Sequence, residues 1–401
     1  MRRFRWVVLS LTTLMQLGLS MPQQTPAALG PVLTPALHLS RAELGLLTSA
    51  IWGGMLLGML PAGLLADRFG ERRVIAAGGA ALALLIVLAA QTHAFLPLFG
   101  VLLVAAIAAS SGSPGGTRAV AAWFEVRQRG FAMGVRQTGV TLAGVLAAVL
   151  LPPVAVRFGW QAAFYVVAGI ALLAVAAFAL FYREHRHGGE GPVADFNLGM
   201  LARNRTFLAA TAYGWVFMGA LGCSVTYLGI SLHEEAGLSA VAAGLFLAVL
   251  QVGGAAGRIG WGLLSDRLGS RGLTMLLAGA LSVLACLAMA QVRGAVSVPT
   301  LVVLCFFLGL STMGWNALYI ALTAEVVPVH RAATAVGAGT TITFIGMFAV
   351  TPVFGSIADH TGSYSASWLA LAGWSLLGTL IALAVRDRRF RARRPAAGEA
   401  A

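Results

Sequence analysis

Three arginines lie inside long apolar stretches of the chain: Arg118, Arg136 and Arg258. A guanidinium in a bilayer costs roughly 2.5 to 3.5 kcal/mol even on the lenient insertion scale, so each is a functional candidate by default. The chemistry they offer is recognition, because the planar, permanently charged fork binds both oxygens of a carboxylate. Arg118 lies seven residues before Glu125, Arg136 seven after Arg129, and Arg258 eight before Asp266. At about 1.5 Å per helical residue, this spacing places all three roughly 10 to 12 Å inside the same membrane boundary. The 14 acidic residues fall in loops or at the ends of apolar stretches, so none is expected to neutralise these guanidiniums. A cavity with fixed positive charge and no internal counter-ion suits an anion. Arg136 belongs to the first half of the chain and Arg258 to the second, so an anion between them would be held by both. The alternatives are that Arg118 reaches Glu125 and that Arg258 only packs or snorkels.

Other polar groups sit deep in apolar segments. Gln16 is followed by Gln23, Gln24 and Thr25, and Gln137 adjoins Arg136. Amides in lipid cost free energy unless they find partners, so these face either a polar cavity or another helix. Trp315, Asn316 and Tyr319 share one helical face, as a cavity wall or as interfacial anchors. The seven histidines lie in loops or at segment ends, so no titratable relay crosses the chain. Were the chain to move an anion, a co-transported proton would need the substrate's own carboxyl group or a residue at the mouth, and exchange for a counter-anion or facilitated diffusion fits at least equally well. Cys223, Cys286 and Cys305 are scattered without metal spacing and read as structural. No nucleotide loop, metal cluster or catalytic triad is visible, so no cofactor and no enzymatic activity are expected.

The elements that must carry these residues follow from composition. Of 401 residues, 59% are hydrophobic and 10% charged, with 49 glycines, which excludes an ordinary soluble domain. Twelve apolar segments of about the 20 residues needed to span a bilayer are expected at 6–29, 42–66, 74–93, 96–121, 130–155, 159–182, 206–232, 239–264, 272–292, 297–324, 332–358 and 364–385. The fold class is therefore an all-α membrane protein with twelve transmembrane helices. The net charge of +13 comes from 27 arginines and no lysine. Twenty-one of them fall on one side of these spans, and only Arg41, Arg157 and Arg293 on the other. That asymmetry is the positive-inside pattern. It places both termini in the cytoplasm and argues against nucleic acid as the partner; the lipid bilayer is the partner instead. The opening Met-Arg-Arg-Phe-Arg resembles a secretory signal, but its removal would leave an odd number of spans.

The chain also repeats. Gly63-Leu-Leu-Ala-Asp67-Arg68-Phe-Gly70-Glu71-Arg72-Arg73 recurs 199 residues later as Gly262-Leu-Leu-Ser-Asp266-Arg267-Leu-Gly269-Ser-Arg271-Gly272, identical at seven of eleven positions. Gly54 and Gly58 fall on Gly253 and Gly257 at the same shift. Each copy closes an apolar run with an acid, arginines and a tight turn, as a short loop between two spans requires. Two pseudo-symmetric six-helix bundles are expected at 1–182 and 206–386, joined by a polar cytoplasmic linker at 183–205 and followed by an Arg-rich tail at 387–401. A short surface helix is expected within 196–205.

The loop pattern G-x-x-x-D-R-x-G-x-R, between spans two and three of each half, resembles the signature of the major facilitator superfamily. That resemblance implies a monomeric secondary transporter of the cytoplasmic (inner) membrane, working by alternating access. It also implies gating roles for Asp67, Arg68, Arg72, Asp266, Arg267 and Arg271. The run Trp123-Phe124, then Arg127-x-Arg129-Gly130 and the glycines that follow, is similar to carriers of organic anions, including monocarboxylate and oxalate-type carriers. There an Arg in span eight is a substrate ligand, and Gly257-Arg258-Ile-Gly-Trp-Gly262 is the matching position. An Arg common in the outer part of span four of proton-coupled drug and sugar carriers is absent from Leu98-Phe-Gly-Val-Leu-Leu. The expected function is transport of a small organic anion, with an inorganic anion or an exported drug as alternatives; an exporter of cations would be expected to carry an intramembrane Asp or Glu.

Overall fold

The computed structural model describes residues 4–124, 126–183, 198–327 and 332–385. Most of the linker at 184–197 and the tail from 386 lie outside the described residues, as does Glu125. The first half contains α1 (Phe4–Ala36), α2 (Arg41–Phe69), α3 (Glu71–Ala89), α4 (Phe95–Ala109), α5 (Gly112–Trp123), α6 (Val126–Phe158) and α7 (Trp160–Phe181). A short helix α8 (Leu198–Arg203) leads into the second half. That half contains α9 (Arg205–Glu235), α10 (Ala240–Leu268), α11 (Arg271–Met289), α12 (Val298–Thr312), α13 (Asn316–Glu325), α14 (Ala332–Thr361) and α15 (Tyr364–Ala382). With α4–α5 and α12–α13 each counted as one, twelve helices among the described residues are long and apolar enough to cross a membrane. The first runs past the expected 6–29 to Ala36, with Pro22, Pro26, Pro31 and Pro35 inside an unbroken helix. Cys223, Cys286 and Cys305 are buried free thiols.

The repeated glycines let helices approach closely. A Cβ on Gly54 would stand 2.8 Å from Ala106 Cβ, and one on Gly253 3.0 Å from the Phe306 carbonyl carbon, so α2 packs on α4 as α10 packs on α12. The two signature loops turn at Gly70, with φ 86°, and Gly269, with φ 65°, a backbone region that glycine enters without steric cost.

The fourth and tenth spans are broken. Ser110 and Ser111 separate α4 from α5, so the break precedes Pro114, which sits in the first turn of α5 where its missing N–H costs nothing. Met313 to Trp315 separate α12 from α13 with no proline nearby, and nothing in the sequence reading anticipated that break.

Two antiparallel seams join the halves. On one, Ser49 Oγ donates to the Phe348 carbonyl at 3.0 Å and Trp52 stacks on Phe344 at 5.3 Å, so α2 and α14 descend in register. On the other, Gly244 faces Ala148 and Pro152, and Gly144 faces Gln251, across α6 and α10. Toward the arginine-rich end, beyond Trp52–Phe344 and Thr141–Arg258, no hydrogen bond, ion pair or ring contact links two described residues of opposite halves. Glycines 134, 262 and 337 have no atom within 4 Å of a built Cβ there. The halves are parted at that end and joined at the other.

The joined end is latched by Arg41. Its guanidinium holds Glu234 at 2.5 Å and the Ala358 carbonyl at 2.6 Å, and lies 4.8 Å from the Tyr364 ring centroid. Asp359 accepts from the backbone N–H groups of Arg41 at 3.0 Å and Ala42 at 2.9 Å, capping a helix of the other half at its positive end. Tyr227 Oη lies between the carbonyls of Arg41 and Thr351, at 2.8 and 3.0 Å. Hydrogen bonds left unmade by a charged group cost about 1 to 3 kcal/mol, a population shift of about 5- to 150-fold. Arg41→Gln is thus expected to raise the labelling rate of a Thr48→Cys reporter by an impermeant maleimide applied from this end at least fivefold. An unchanged rate would show that the latch carries no conformational weight.

Candidate functional site

Arg258 projects from α10 into the α6–α10 seam. Its Nη1 donates to Thr141 Oγ1 on α6 at 3.0 Å, while Nε is buried with no hydrogen-bond partner. Among the described residues no carboxylate forms an ion pair with it. The cation therefore bridges the halves through a neutral hydroxyl and keeps donor capacity unused. The register of the seam sets the exposed Gln137 opposite Arg258, where the halves part.

Arg136, on the same helix α6, turns the other way. It is 6% exposed, and Nη1 donates to the carbonyls of Gly112 at 3.2 Å and Ser113 at 3.4 Å, with Nη2 3.3 Å from Thr117 Oγ1. These acceptors open α5, directly after the break, so the guanidinium fastens the broken fourth span within its own half. Its Nε has no partner. Gln16 lies beside this cluster. Gly139, three residues on from Arg136, packs so closely on α1 that a Cβ there would stand 3.1 Å from the Gln16 Cβ, and Gln16 Oε1 is buried without a partner. In the second half the corresponding break is fastened by indoles. Trp315 Nε1 donates to the Thr312 carbonyl at 2.9 Å and Trp261 Nε1 to Leu310 at 2.8 Å. Trp315 and Tyr319 are fully buried and meet edge to face at 5.8 Å, with Tyr213 6.1 Å from Trp315. They form an aromatic core inside this half, and the half-buried Asn316 starts α13 beside them.

The expectation that no acid neutralises the three arginines fails for Arg118. Its Nη1 is 2.5 Å from Asp67 and its Nε 3.3 Å from Glu71, and it also donates to the Ala66 carbonyl at 3.3 Å. Glu71 is 2% exposed and accepts from Tyr182 Oη at 2.7 Å as well. Arg118 therefore does not share the uncompensated environment of the other two. It clamps the first signature loop through acids that lie far from it in sequence; Glu125, the partner the spacing suggests, lies outside the described residues. In the second loop, Arg271 holds Asp266 at 2.8 Å, Glu325 at 3.3 Å and Ser265 Oγ at 2.9 Å. The helix end facing the loop is thus cationic in one half and anionic in the other. Arg72 Nε donates to the Ala179 carbonyl at 2.6 Å, Arg68 lies 5.2 Å from the ring centroid of Phe69, and Arg267 is exposed.

Two halves that each carry a broken span, its irregular backbone satisfied by side chains of the same half, joined at one end and parted at the other, have the construction of a membrane carrier. The sequence profile of the Major Facilitator Superfamily matches residues 8–351. The chain is a member of that superfamily. An uncharacterized MFS-type transporter of Mycobacterium tuberculosis is 30% identical over 335 residues, covering 82% of this chain and 73% of the relative. A probable sulfoacetate transporter of Cupriavidus necator is 25% identical, with 87% of each chain covered. Among solved structures, a bacterial homolog of the human lysosomal transporter Spinster, in an inward-facing and unoccupied conformation, superposes with a TM-score of 0.81 at 16% identity, covering 99% of this chain and 100% of that one. This superfamily member is a multi-pass membrane transporter, not an enzyme.

Sequence reasoning missed two polar partners at the seam, Thr141 and Gln251. Thr141 receives Arg258, and Gln251 donates to Gln24 Oε1 across the halves at 3.1 Å. Gln251 lies two turns before Arg258 on the same face of α10, and that spacing was the available signal.

Proposed function

We propose that the chain carries a small organic carboxylate across the cytoplasmic membrane by alternating access, with Arg258 as the principal ligand. The observation that carries this reading is a guanidinium on the seam between the halves, held by one hydroxyl, with a buried Nε left over and, among the described residues, no carboxylate paired with it. An anion arriving from the parted end supplies the missing counter-charge and ties the halves together through one group. Arg136 belongs to the same site as a supporting charge. It fixes the broken span and contributes positive potential without leaving its carbonyls, and Gln16 and Gln137 border the path. Arg118 is assigned to the gate, with Asp67, Arg68, Arg72, Asp266, Arg267 and Arg271. Trp315, Asn316 and Tyr319 shape the site from within the second half. The arginine excess places the parted end in the cytoplasm, so the described conformation faces inward. The protein works as a monomer in the inner membrane, exchanging one anion for another or moving it with a proton.

The test is thermal stabilisation of the purified protein, because a ligand that binds only the folded state raises apparent stability with its occupancy. Lactate, pyruvate, oxalate and larger dicarboxylates are compared with nitrate, nitrite and cationic drugs. At a concentration 100 times its Kd a carboxylate is expected to add about 2.7 kcal/mol. Stabilisation by cations alone would reassign the protein as an exporter, and by nitrate alone as an inorganic-anion carrier.

A further inference from the structure

The α6 helix provides a scale along the seam. Arg258 Nη1 meets it at Thr141, and the Gln251 amide meets it at Gly144, where a Cβ would stand 2.5 Å from Nε2 and 2.6 Å from Cδ. Those positions are one turn apart, about 4.5 Å along the helix. Side chains lean toward the N-terminus of their helix, so Arg258 reaches back toward Gln251 although their Cα atoms are two turns apart. Gln251 is 1% exposed and donates to Gln24 Oε1 of the other half at 3.1 Å; Gln24 is 7% exposed. Gln24 continues a stripe on α1 through Ser20 to Gln16, whose Nε2 donates to Ser20 Oγ at 3.2 Å and whose Oε1 has no partner. Helix packing alone gives no reason to bury a bare acceptor in a membrane protein.

We propose that Gln24 and Gln251 form a hydroxyl-reading subsite one turn from the Arg258 guanidinium, which makes the substrate a short hydroxylated carboxylate. The proposal rests on the carboxylate reading above. A hydroxyl both donates and accepts, so it replaces the amide–amide contact by accepting from Gln251 Nε2 and donating to Gln24 Oε1. A methylene in the same place separates two buried amides and satisfies neither, and sites built around a hydrogen-bonding substrate reject such analogues strongly. The separation of about 4.5 Å suits a carboxylate held by Arg258 with a hydroxyl one or two carbons away. Without substrate the amides satisfy each other.

Matched acids test this with the purified full-length protein, by thermal stabilisation and by competition for uptake in proteoliposomes: glycerate against propionate, and tartrate against succinate. The hydroxylated member of each pair is expected to act at a concentration at least tenfold lower. Gln251→Leu is expected to weaken glycerate and tartrate more than propionate and succinate, shrinking the advantage of the hydroxylated member of each pair at least threefold. Gly144→Ala, which displaces the Gln251 amide without removing it, is expected to shrink the ratio in the same direction. Equal action of both members on the wild-type protein overturns the subsite and leaves the Arg258 reading intact, whereas no effect from any carboxylate removes both. If Gln251→Leu weakens both members alike, the amide is structural and the proposal fails. If that variant does not fold, an unchanged ratio in Gly144→Ala overturns it.

Discussion

Arg258→Gln is expected to abolish carboxylate-dependent stabilisation and to lower uptake by about 10- to 150-fold, while the unliganded protein keeps its melting temperature within a few degrees. The factor follows from the roughly 1.5 to 3 kcal/mol carried by hydrogen bonds to charged groups. The small effect on folding follows from the local inventory. Thr141 Oγ1 is the one described hydrogen-bond partner, and glutamine still reaches for it without leaving an acid unpaired. Arg258→Lys keeps the charge but not the fork, so it is expected to recover only part of the loss. Uptake by proteoliposomes, measured beside melting curves on the same preparations, separates these outcomes. Retained uptake in Arg258→Gln, within twofold of the original, would refute the assignment of this residue as the ligand.

Arg118→Gln is expected to act in the opposite way, on stability rather than on ligand affinity. Glu71 is 2% exposed and depends on Arg118 and Tyr182, so removing the cation strands a buried carboxylate. Breaking a buried pair costs about 3 to 5 kcal/mol. The Arg118 side chain is 45% exposed, so solvent screening reduces the expected loss to roughly 2 kcal/mol. Glu71→Gln in the same chain should restore most of it, because a neutral amide needs no cation and still accepts from Tyr182. The double-mutant cycle in melting temperature measures that coupling. Glu325→Gln in the other half is expected to cost less, because Arg271 keeps Asp266 at 2.8 Å and Ser265 Oγ at 2.9 Å. Strictly additive single effects at positions 118 and 71 would show that the clamp contributes nothing.

The all-helical fold was legible because its determinants are local. Twelve apolar runs of spanning length, an arginine excess on one side and a repeated loop require no knowledge of tertiary contacts. Partnerships were less legible. Asp67 and Glu71, the partners of Arg118 in the structure, lie on the preceding hairpin of helices and become its neighbours only when α5 packs there, so no local spacing signals them. Arg136 and Arg258 share a helix seam in broad terms, yet one turns inward to the carbonyls of a broken helix, and that break has a proline signal only weakly related to its position. The second break has no such signal, so the burial of Trp315 against it was not readable. Aromatic residues with polar tips look alike in sequence whether they line a cavity or fill a core. Gln251 was overlooked because a single amide in an apolar run gains meaning only from the partner opposite it, Gln24.

The position of the Trp52–Phe344 stack sets the mechanical advantage of the molecule. From Trp52, α2 extends about 26 Å toward its arginine-rich end at Phe69, but only about 16 Å toward Arg41. If the halves rock about that stack, each degree of tilt moves the long arm by roughly 0.45 Å and the short arm by roughly 0.3 Å, from the same helical rise. One such rotation sweeps a wider mouth at the arginine-rich end than at the Arg41 end. With the pivot off-centre in this way, a cargo small enough to pass the narrower opening has room to pass the wider one.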